Sequence, residues 1–308
     1  MRVIFMGTPE FAVEALGRIA KAGHEIVAVY TQPDKPKGRS GKLQPSPVKE
    51  KTLELGIPVE QPERLRAEGN AERIQSLQPE IIVVAAYGQI LPESILQIPP
   101  LGCINIHASL LPKYRGAAPI ERSILDGEEK TGVTTMYMAK GLDTGDMIEQ
   151  AVTEILPTDT GESLTARLAE MGGELILSTM EKLQAGTAVR TPQKEEDSSY
   201  AKMLDKAMGR MDFTKSAAEL ERAVRALYPW PCAYTVIDGH SAKILGAEVT
   251  EETGEPGTIL EVTKKYFTIA CGTGALRIRK LQPEGKKPMD TPAYLNGNKP
   301  EVGSRVGE

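Results

Sequence analysis

The sequence predicts an α/β protein in two parts, a Rossmann-like, mostly parallel sheet domain followed by a small OB-like β-barrel domain. In the first half, short apolar runs alternate with segments of helical periodicity, as expected for a parallel sheet covered by helices. In the last third, five short strand patterns separated by turns follow one amphipathic helix. The change of pattern between these regions predicts two separate cores.

The elements of the first half follow from apolar runs and from helix caps. Thr8 is predicted to cap a first helix with Pro9 in its first turn, and Ser46 is predicted to cap a second. The predicted strands cover residues 3–5, 26–30, 81–86, 103–106 and 133–138. The predicted helices cover residues 9–22, 47–55, 71–77, 119–125 and 163–183.

The second half begins with a polar stretch. Residues 189–207 include Pro192 and the charged run that starts at Lys194, and this composition predicts an interdomain linker. The chain therefore divides into 1–188, the linker 189–207, and 208–308. The predicted elements of the last part are a helix over 216–227 and strands over 232–237, 242–249, 258–262, 266–270 and 276–281.

Composition restricts the class of protein. The chain has 308 residues, of which 40% are hydrophobic and 26% charged, which fits a globular protein with two domains. No apolar run approaches the roughly 20 residues that span a bilayer, and no cleavable leader is visible, so we expect a cytoplasmic protein without a membrane partner. The three cysteines lack any metal-binding or disulfide spacing, so neither is expected.

Three polar residues form the candidate catalytic site. Asn105 and His107 are two apart on a short buried strand, so their side chains leave the same face. Asp143 lies in a turn-rich loop after the next predicted strand and is expected to reach the same sheet edge. A carboxamide, an imidazole and a carboxylate suit acyl transfer, although each residue alone would be a weak indication.

A dinucleotide site is the obvious alternative, because a strand, Gly7 and a helix open the chain. The glycine-rich fingerprint fails, however, since Pro9 and Ala12 stand where glycines would have to approach a pyrophosphate. The carboxylate of Glu10 would also face the phosphates. A dinucleotide oxidoreductase is therefore disfavoured.

A longer string of residues carries a resemblance to a known family. Asn105-Ile-His107-Ala-Ser109-Leu110-Leu111-Pro112, then Arg115-Gly116-Ala-Ala-Pro119, and later Leu-Asp143-Thr-Gly, resemble the folate-dependent formyltransferases, and residues 6–11, 31–34, 45–48 and 228–231 extend the likeness. The resemblance implies that a formyl group passes from 10-formyltetrahydrofolate to the α-amino group of methionine on initiator tRNA. It implies that 1–188 is the catalytic domain, that 208–308 is a tRNA-binding barrel, and that Ser109, Leu110, Leu111 and Pro112 belong to the folate site.

The residue types fit that chemistry. The attacking amine arrives on the substrate, so the enzyme needs no nucleophile of its own. Asn105 and a His107 N–H are expected to donate to the formyl oxygen as it becomes negative. Asp143 is expected to orient the imidazole and to assist removal of the amine proton.

Basic residues suggest the acceptor. Residues 32–49 contain five cations, one acid, four prolines and two glycines, which predicts a basic loop beside the site. Lys35, Lys37 and Lys42 are expected to contact phosphates, and the resemblance implies that Arg39 has the most important position. Arg277 and Arg279 share one face of a barrel strand and are expected to bind tRNA, with Lys206, Arg210, Arg222, Arg225, Lys264 and Lys265 as possible extensions.

Two alternatives share parts of this pattern. An enzyme that formylates a small amine would use the same Asn, His and Asp but would leave the basic loop and the barrel without a role. A non-catalytic RNA-binding protein would not need the three residues at all. We expect no stable protein partner and a monomer.

Overall fold

The computed structural model describes residues 1–36 and 41–307 and contains two compact units. The first unit comprises Met1–Pro119, Lys130–Glu154 and Thr165–Ala201. The second comprises Ile120–Glu129, Ile155–Leu164 and the described chain from Lys202 onward. No helix of the described chain has the length and apolar character needed to span a membrane.

The strands and helices fall largely where the sequence predicts them. The strands are β1 Arg2–Gly7, β2 Glu25–Tyr30, β3 Lys35–Pro36, β4 Leu43–Gln44, β5 Val59–Glu60, β6 Ile81–Ala85, β7 Cys103–His107, β8 Arg115–Gly116, β9 Lys130–Tyr137, β10 Met147–Glu154, β11 Tyr200–Ala201, β12 Ala233–Ile237, β13 His240–Thr250, β14 Ile259–Val262, β15 Phe267–Ala270, β16 Ala275–Pro283 and β17 Met289–Asp290. The helices are α1 Phe11–Lys21, α2 Pro47–Glu54, α3 Asn70–Ser76, α4 Glu93–Leu96, α5 Pro119–Leu125, α6 Gly161–Gln184, α7 Ala217–Ala226 and α8 Thr291–Leu295.

The main sheet of the first unit has the order β10-β9-β7-β6-β1-β2-β5. The five neighbouring strands β7, β6, β1, β2 and β5 are parallel, which confirms the mostly parallel sheet. At one side of the sheet, β9 pairs antiparallel with β7, and β10 pairs antiparallel with β9. The central strands are apolar and buried on both faces. By contrast β10 alternates partly buried with exposed residues, the pattern of an edge strand.

Helices cover both faces of this sheet. On one face Ile4, Met6 and Tyr30 pack with Ile82 and Cys103 in a single core cluster. On the other face α6 approaches closely, because a Cβ at Gly172 would lie 2.9 Å from Ile106. Burying each large apolar side chain in such a core contributes about 1.5–3 kcal/mol relative to leaving it in water.

One of the two predicted helix caps is confirmed and the other is wrong. Ser46 precedes α2 and its hydroxyl accepts from the backbone N–H of Lys49 at 3.0 Å. In contrast, α1 begins at Phe11 with Glu10 at the N-cap position and without a side-chain cap. The Thr8 hydroxyl instead donates to the carbonyl of Tyr87 at 2.9 Å, so a neighbouring loop competes for it.

The second unit contains the five predicted strands in an antiparallel sheet of order β12-β13-β16-β15-β14, with β17 paired to β16. The C-terminal segment joins the two edges of this sheet, since Ile259 N donates to Ser304 O and Gly307 N donates to Val236 O. The five strands are thereby closed into a barrel. Helix α7 begins at a Ser216 capping box and buries Leu220 and Val224 against it.

Hydrogen bonds from α7 explain why two segments distant in sequence belong to the second unit. Arg222 donates to the carbonyl of Leu125 at 3.1 Å, and Arg225 donates to the carbonyl of Asp159 at 2.8 Å. These bonds attach residues 120–129 and 155–164 to α7. The guanidinium groups of Arg222 and Arg225 therefore have structural partners within the second unit.

The structure divides the predicted linker 189–207 between the two units. Residues 189–201 pack on the first unit, where Thr191 and Met147 exchange two backbone hydrogen bonds of 2.9 Å and β11 pairs in parallel with β8. From Lys202 the chain belongs to the second unit. Both its backbone and polar side chains such as those of Gln193 and Ser199 bond to the first unit, so the polar composition does not mark a free linker.

Candidate active site

Asn105 and His107 project from β7 in the interior of the sheet. The strand lies between β6 and β9, with Asn105 opposite Val84 and Met136 and with His107 opposite Thr134. Both residues are buried, with 8% and 5% of their surface exposed. No residue of the described chain hydrogen-bonds to the Asn105 carboxamide, so this buried amide retains its donors and its acceptor for a ligand.

One of the two imidazole nitrogens of His107 is hydrogen-bonded to the protein backbone. Nε2 lies 2.8 Å from the carbonyl oxygen of Tyr114, which can only accept, so Nε2 carries a proton and donates it. Tyr114 itself has a φ of 61°, a conformation that non-glycine residues adopt infrequently. The nitrogen that remains for chemistry is Nδ1, and it is a donor only when the ring holds both protons.

Asp143 faces that remaining nitrogen. Its Oδ2 lies 3.8 Å from His107 Nδ1 and accepts from the backbone N–H of Gly116 at 2.8 Å. Both side chains are largely excluded from solvent, with 6% and 13% exposed. The distance exceeds hydrogen-bond length, as is frequent in active sites without substrate. The structure thus brings the predicted His107 and Asp143 together, with Asn105 two residues before His107 on β7.

The Asp143 loop reaches this position by folding back across the sheet. Because β9 is antiparallel to β7, it ends beside Ile104, toward the start of β7 and away from His107. Asp143 adopts a φ of 51°, and a Cβ at Gly145 would lie 1.8 Å from the Tyr137 carbonyl oxygen. The Asp-Thr-Gly turn therefore requires glycine at 145. Asp143 does reach His107 as expected, but the strand before its loop ends at the opposite end of β7.

The sequence interpretation missed two residues that hold the loops of this site, the Asp143 loop and the loop at Tyr114. Gln193 donates from Nε2 to the carbonyls of Asp143 and Gly145, each at 2.8 Å. Ser199 accepts at Oγ from the backbone N–H of Tyr114 at 2.9 Å. Both residues lie in the segment predicted to be a linker, and an isolated Gln or Ser in a polar stretch carries no pattern that would distinguish it.

The segment Ser109–Pro112 is built by hydrogen bonds within the first unit. The Ser109 hydroxyl is fully buried and donates to Lys113 O at 2.7 Å, while Gln150 donates to Leu111 O at 2.9 Å. Leu111 is 3% exposed, whereas Leu110 and Pro112 are partly exposed. A ligand here would meet Leu110 and Pro112, and Ser109 would act through the shape of the turn.

At the start of the basic loop, Asp34 is bonded to Lys49 and Gln61. Lys49 Nζ contacts both carboxylate oxygens of Asp34, at 2.9 and 2.8 Å, and Gln61 donates to Asp34 Oδ1 at 2.8 Å. The hydrogen bonds from Lys49 and Gln61 lower the pKa of the Asp34 carboxyl. Lys35 and Lys42 are exposed on either side, whereas Lys37 and Arg39 lie outside the described residues.

The two barrel arginines share one aromatic ring. Arg277 and Arg279 lie over Tyr266, with guanidinium carbons 4.2 and 5.0 Å from the ring centroid. Each is also paired with a carboxylate, Arg277 with Glu252 at 3.1 Å and Arg279 with Glu248 at 2.7 Å. The predicted common face exists, and its positive charge is partly neutralised.

Two family models cover most of the chain. The model described as formyl transferase matches residues 1–180, and the model described as formyl transferase, C-terminal domain matches residues 203–299. These matches identify the chain as a formyl transferase. The enzyme from Lachnospira eligens named methionyl-tRNA formyltransferase is 50% identical over 100% of both chains. The chain belongs to the methionyl-tRNA formyltransferase family.

Further relatives agree with this assignment, and a solved structure shares the fold. Proteins of the same name from Alkaliphilus metalliredigens and Geobacter sulfurreducens are 49% and 47% identical, over 100% of this chain and 99% and 97% of theirs. An N-formyltransferase from Helicobacter canadensis, in complex with folinic acid and dTDP-3-aminofucose, superposes with a TM-score of 0.69 at 22% identity, covering 90% of this chain and 99% of the other. At that identity the superposition shows the shared fold.

Proposed function

We propose that this protein transfers a formyl group from 10-formyltetrahydrofolate to the α-amino group of methionyl initiator tRNA in the cytoplasm. The observation that carries the proposal is the approach of Asp143 to His107, with Asn105 on the same strand, in a chain that aligns over its full length with enzymes of that name. A buried carboxamide with no partner in the described chain fits the formyl oxygen of the donor. The acceptor supplies the nucleophilic amine, so no enzyme nucleophile is needed.

Asn105 is proposed to stabilise the charge that forms during transfer. As the amine nitrogen bonds to the formyl carbon, negative charge grows on the formyl oxygen and positive charge on the nitrogen. The Asn105 amide donates to that oxygen, and such a donor contributes about 100- to 1000-fold to kcat. The bond from the formyl carbon to the folate nitrogen then breaks, and that nitrogen receives a proton.

His107 and Asp143 are proposed to manage charge and protons around the new bond. Because Nε2 of His107 is bound to Tyr114 O, the ring can donate toward the substrate only from Nδ1, as an imidazolium. A neutral ring would present Nδ1 as a proton acceptor instead. Asp143 lies on the Nδ1 side, where its carboxylate orients the ring and accepts the amine proton directly or through water.

The remaining site residues complete the proposal. Ser109, Leu110, Leu111 and Pro112 form part of the folate site, with backbone groups as the polar contacts. Lys35, Lys37, Arg39, Lys42, Arg277 and Arg279 bind tRNA phosphates. The part of the chain up to residue 188 is the catalytic domain, and residues 208–308 form the tRNA-binding barrel.

The test is formyl transfer by variants of the two facing residues. His107→Ala and Asp143→Ala should each lower kcat by about 10²–10⁴-fold, the range for a positioned acid or base, while circular dichroism and the melting temperature show a folded protein. The assay supplies 10-formyltetrahydrofolate with methionyl initiator tRNA or with free small amines. Near-normal turnover by either variant would contradict the site, and product on small amines alone would favour the small-amine alternative.

A further inference from the structure

One carboxamide connects the two loops that form the candidate site. Gln193 Nε2 donates to Asp143 O and to Gly145 O, both at 2.8 Å, and its Oε1 accepts from Arg115 Nε at 3.0 Å. Gln193 is partly buried, and it precedes the strand β11 that pairs with β8. Its hydrogen-bonding groups are therefore engaged on the backbone of one loop and on the side chain of the other.

The Gln193 bonds lie next to the hydrogen bond from Gly116 N that holds the Asp143 carboxylate. Oδ2 of Asp143 accepts from Gly116 N, and Gly116 directly follows Arg115, the guanidinium partner of Gln193. Asp143 also keeps a positive φ of 51°, a strained conformation for a non-glycine residue, which persists only when surrounding bonds hold it. Gln193 holds this residue from its carbonyl side.

We propose that Gln193 is a positioning residue for the reaction, which keeps the Asp143 carboxylate at its working distance from His107 Nδ1. The inference rests on the proposed function, because it assigns Gln193 a role through Asp143. Displacing a reacting group by about 1 Å is enough to cost roughly 100-fold in rate. The segment that resembles a linker in sequence is thus part of the active site.

Only a carboxamide satisfies the three partners at once. Two carbonyl oxygens require donors, and the Arg115 guanidinium requires an acceptor. A glutamate would keep the acceptor but would face both carbonyls with a negative oxygen. A methionine has similar length and offers neither strong donor nor strong acceptor, so it removes all three bonds without opening a large cavity.

The test compares Gln193→Glu and Gln193→Met with the wild type in formyl transfer to methionyl initiator tRNA. Both variants are expected to lose about 10- to 100-fold in kcat, while the KM for each substrate stays within about threefold. Glu195→Gln is the matched control, because it alters the exposed partner of the same Arg115 and leaves the Gln193 bonds in place. We expect it to keep near-normal kcat.

A double-mutant cycle separates positioning from a general structural role. In the Asp143→Ala background, Gln193→Met should cost less than about threefold, because the group it positions is gone. Equal losses in both backgrounds, or normal kcat in the single variants, would overturn the inference. A wild-type protein without formyl transfer would instead overturn the proposed function, so the two failures are distinguishable.

Discussion

At the scale of single residues, the hydrogen bond between His107 Nε2 and the carbonyl of Tyr114 decides which ring nitrogen remains for a substrate. The spacing of Asn105 and His107 on one strand places both side chains on one face, and the structure confirms it. The choice of Nδ1 over Nε2 depends on the carbonyl of Tyr114, a residue with a φ of 61° whose N–H donates to the Ser199 hydroxyl. No local pattern encodes a contact between residues 85 positions apart.

Asn105 offers a sharp test at this scale. Asn105→Asp keeps the size of the side chain but replaces an amide donor with a carboxylate beside an oxygen that becomes negative. We expect kcat to fall at least as far as the roughly 100- to 1000-fold loss expected for Asn105→Ala, with the fold retained. Pre-steady-state formyl transfer measures this step. A kcat for Asn105→Asp above that of Asn105→Ala would contradict the donor role.

The same substitution, glycine to alanine, is expected to have opposite effects at Gly145 and at Gly17. At Gly145 an added Cβ would lie 1.8 Å from backbone oxygen, so Gly145→Ala should shift the Asp143 loop and lower kcat by tenfold or more. At Gly17, inside α1, the nearest atom is the end of a lysine side chain at 3.9 Å. Gly17→Ala should therefore stabilise the protein by about 0.5–1 kcal/mol in denaturant unfolding and leave kcat unchanged. Similar effects of both substitutions would refute this distinction.

At the scale of elements, apolar strands were predicted well and polar ones poorly. Buried strands such as β6 are continuous apolar runs, which the sequence displays directly. The edge strand β10 mixes polar and apolar residues and alternates partly buried with exposed positions. The segment 191–201 is held by backbone bonds and single polar side chains. Partners distant in sequence therefore decide these elements, and local composition does not show them.

The attachment of β10 to α6 predicts a pH dependence of stability. Burial tends to raise the pKa of Glu149, but hydrogen bonds from Lys182, Thr179 and Ser178 outweigh it and lower this pKa below its ordinary value. A lowered pKa in the folded state means that the stabilisation is present above about pH 4.3, the unfolded pKa, and is lost as the pH falls through the folded pKa. Acid should therefore weaken this contact.

Glu149→Gln tests that dependence. The variant should lose about 1–2 kcal/mol of unfolding free energy at pH 7, and this difference from the wild type should shrink as the pH is lowered from 5 toward 3. Urea unfolding at several pH values measures both quantities. Glu154→Gln on the same strand is the control, since its side chain is exposed and makes no hydrogen bond to the described chain. A constant difference across the pH range would contradict the assignment to Glu149 ionisation.

At the scale of the whole molecule, charge is informative only after ion pairs are counted. The chain has a formal net charge of −5, with 16 cations against 14 acids in residues 201–308. Arg277 and Arg279 could be predicted as neighbours from strand alternation. Their pairing with Glu252 and Glu248 could not, because Glu248 on β13 and Glu252 just after it meet β16 only in the folded barrel. The hydrogen bond from Arg279 also lowers the pKa of Glu248.

These pairs lead to a prediction about tRNA affinity and salt. If a phosphate replaces Glu248 as the partner of Arg279, Arg279→Gln should weaken binding and reduce the slope of log affinity against log salt by about 0.7–0.9. Glu248→Gln removes the competing carboxylate and should strengthen binding. Lys299→Gln, which removes an exposed cation of the same unit outside the predicted surface, should leave the slope nearly unchanged. Filter binding or fluorescence titration between about 50 and 200 mM salt measures these slopes. Equal slopes for the two cation variants would show that Arg279 acts only through net charge, and weaker binding by Glu248→Gln would exclude competition between its carboxylate and phosphate.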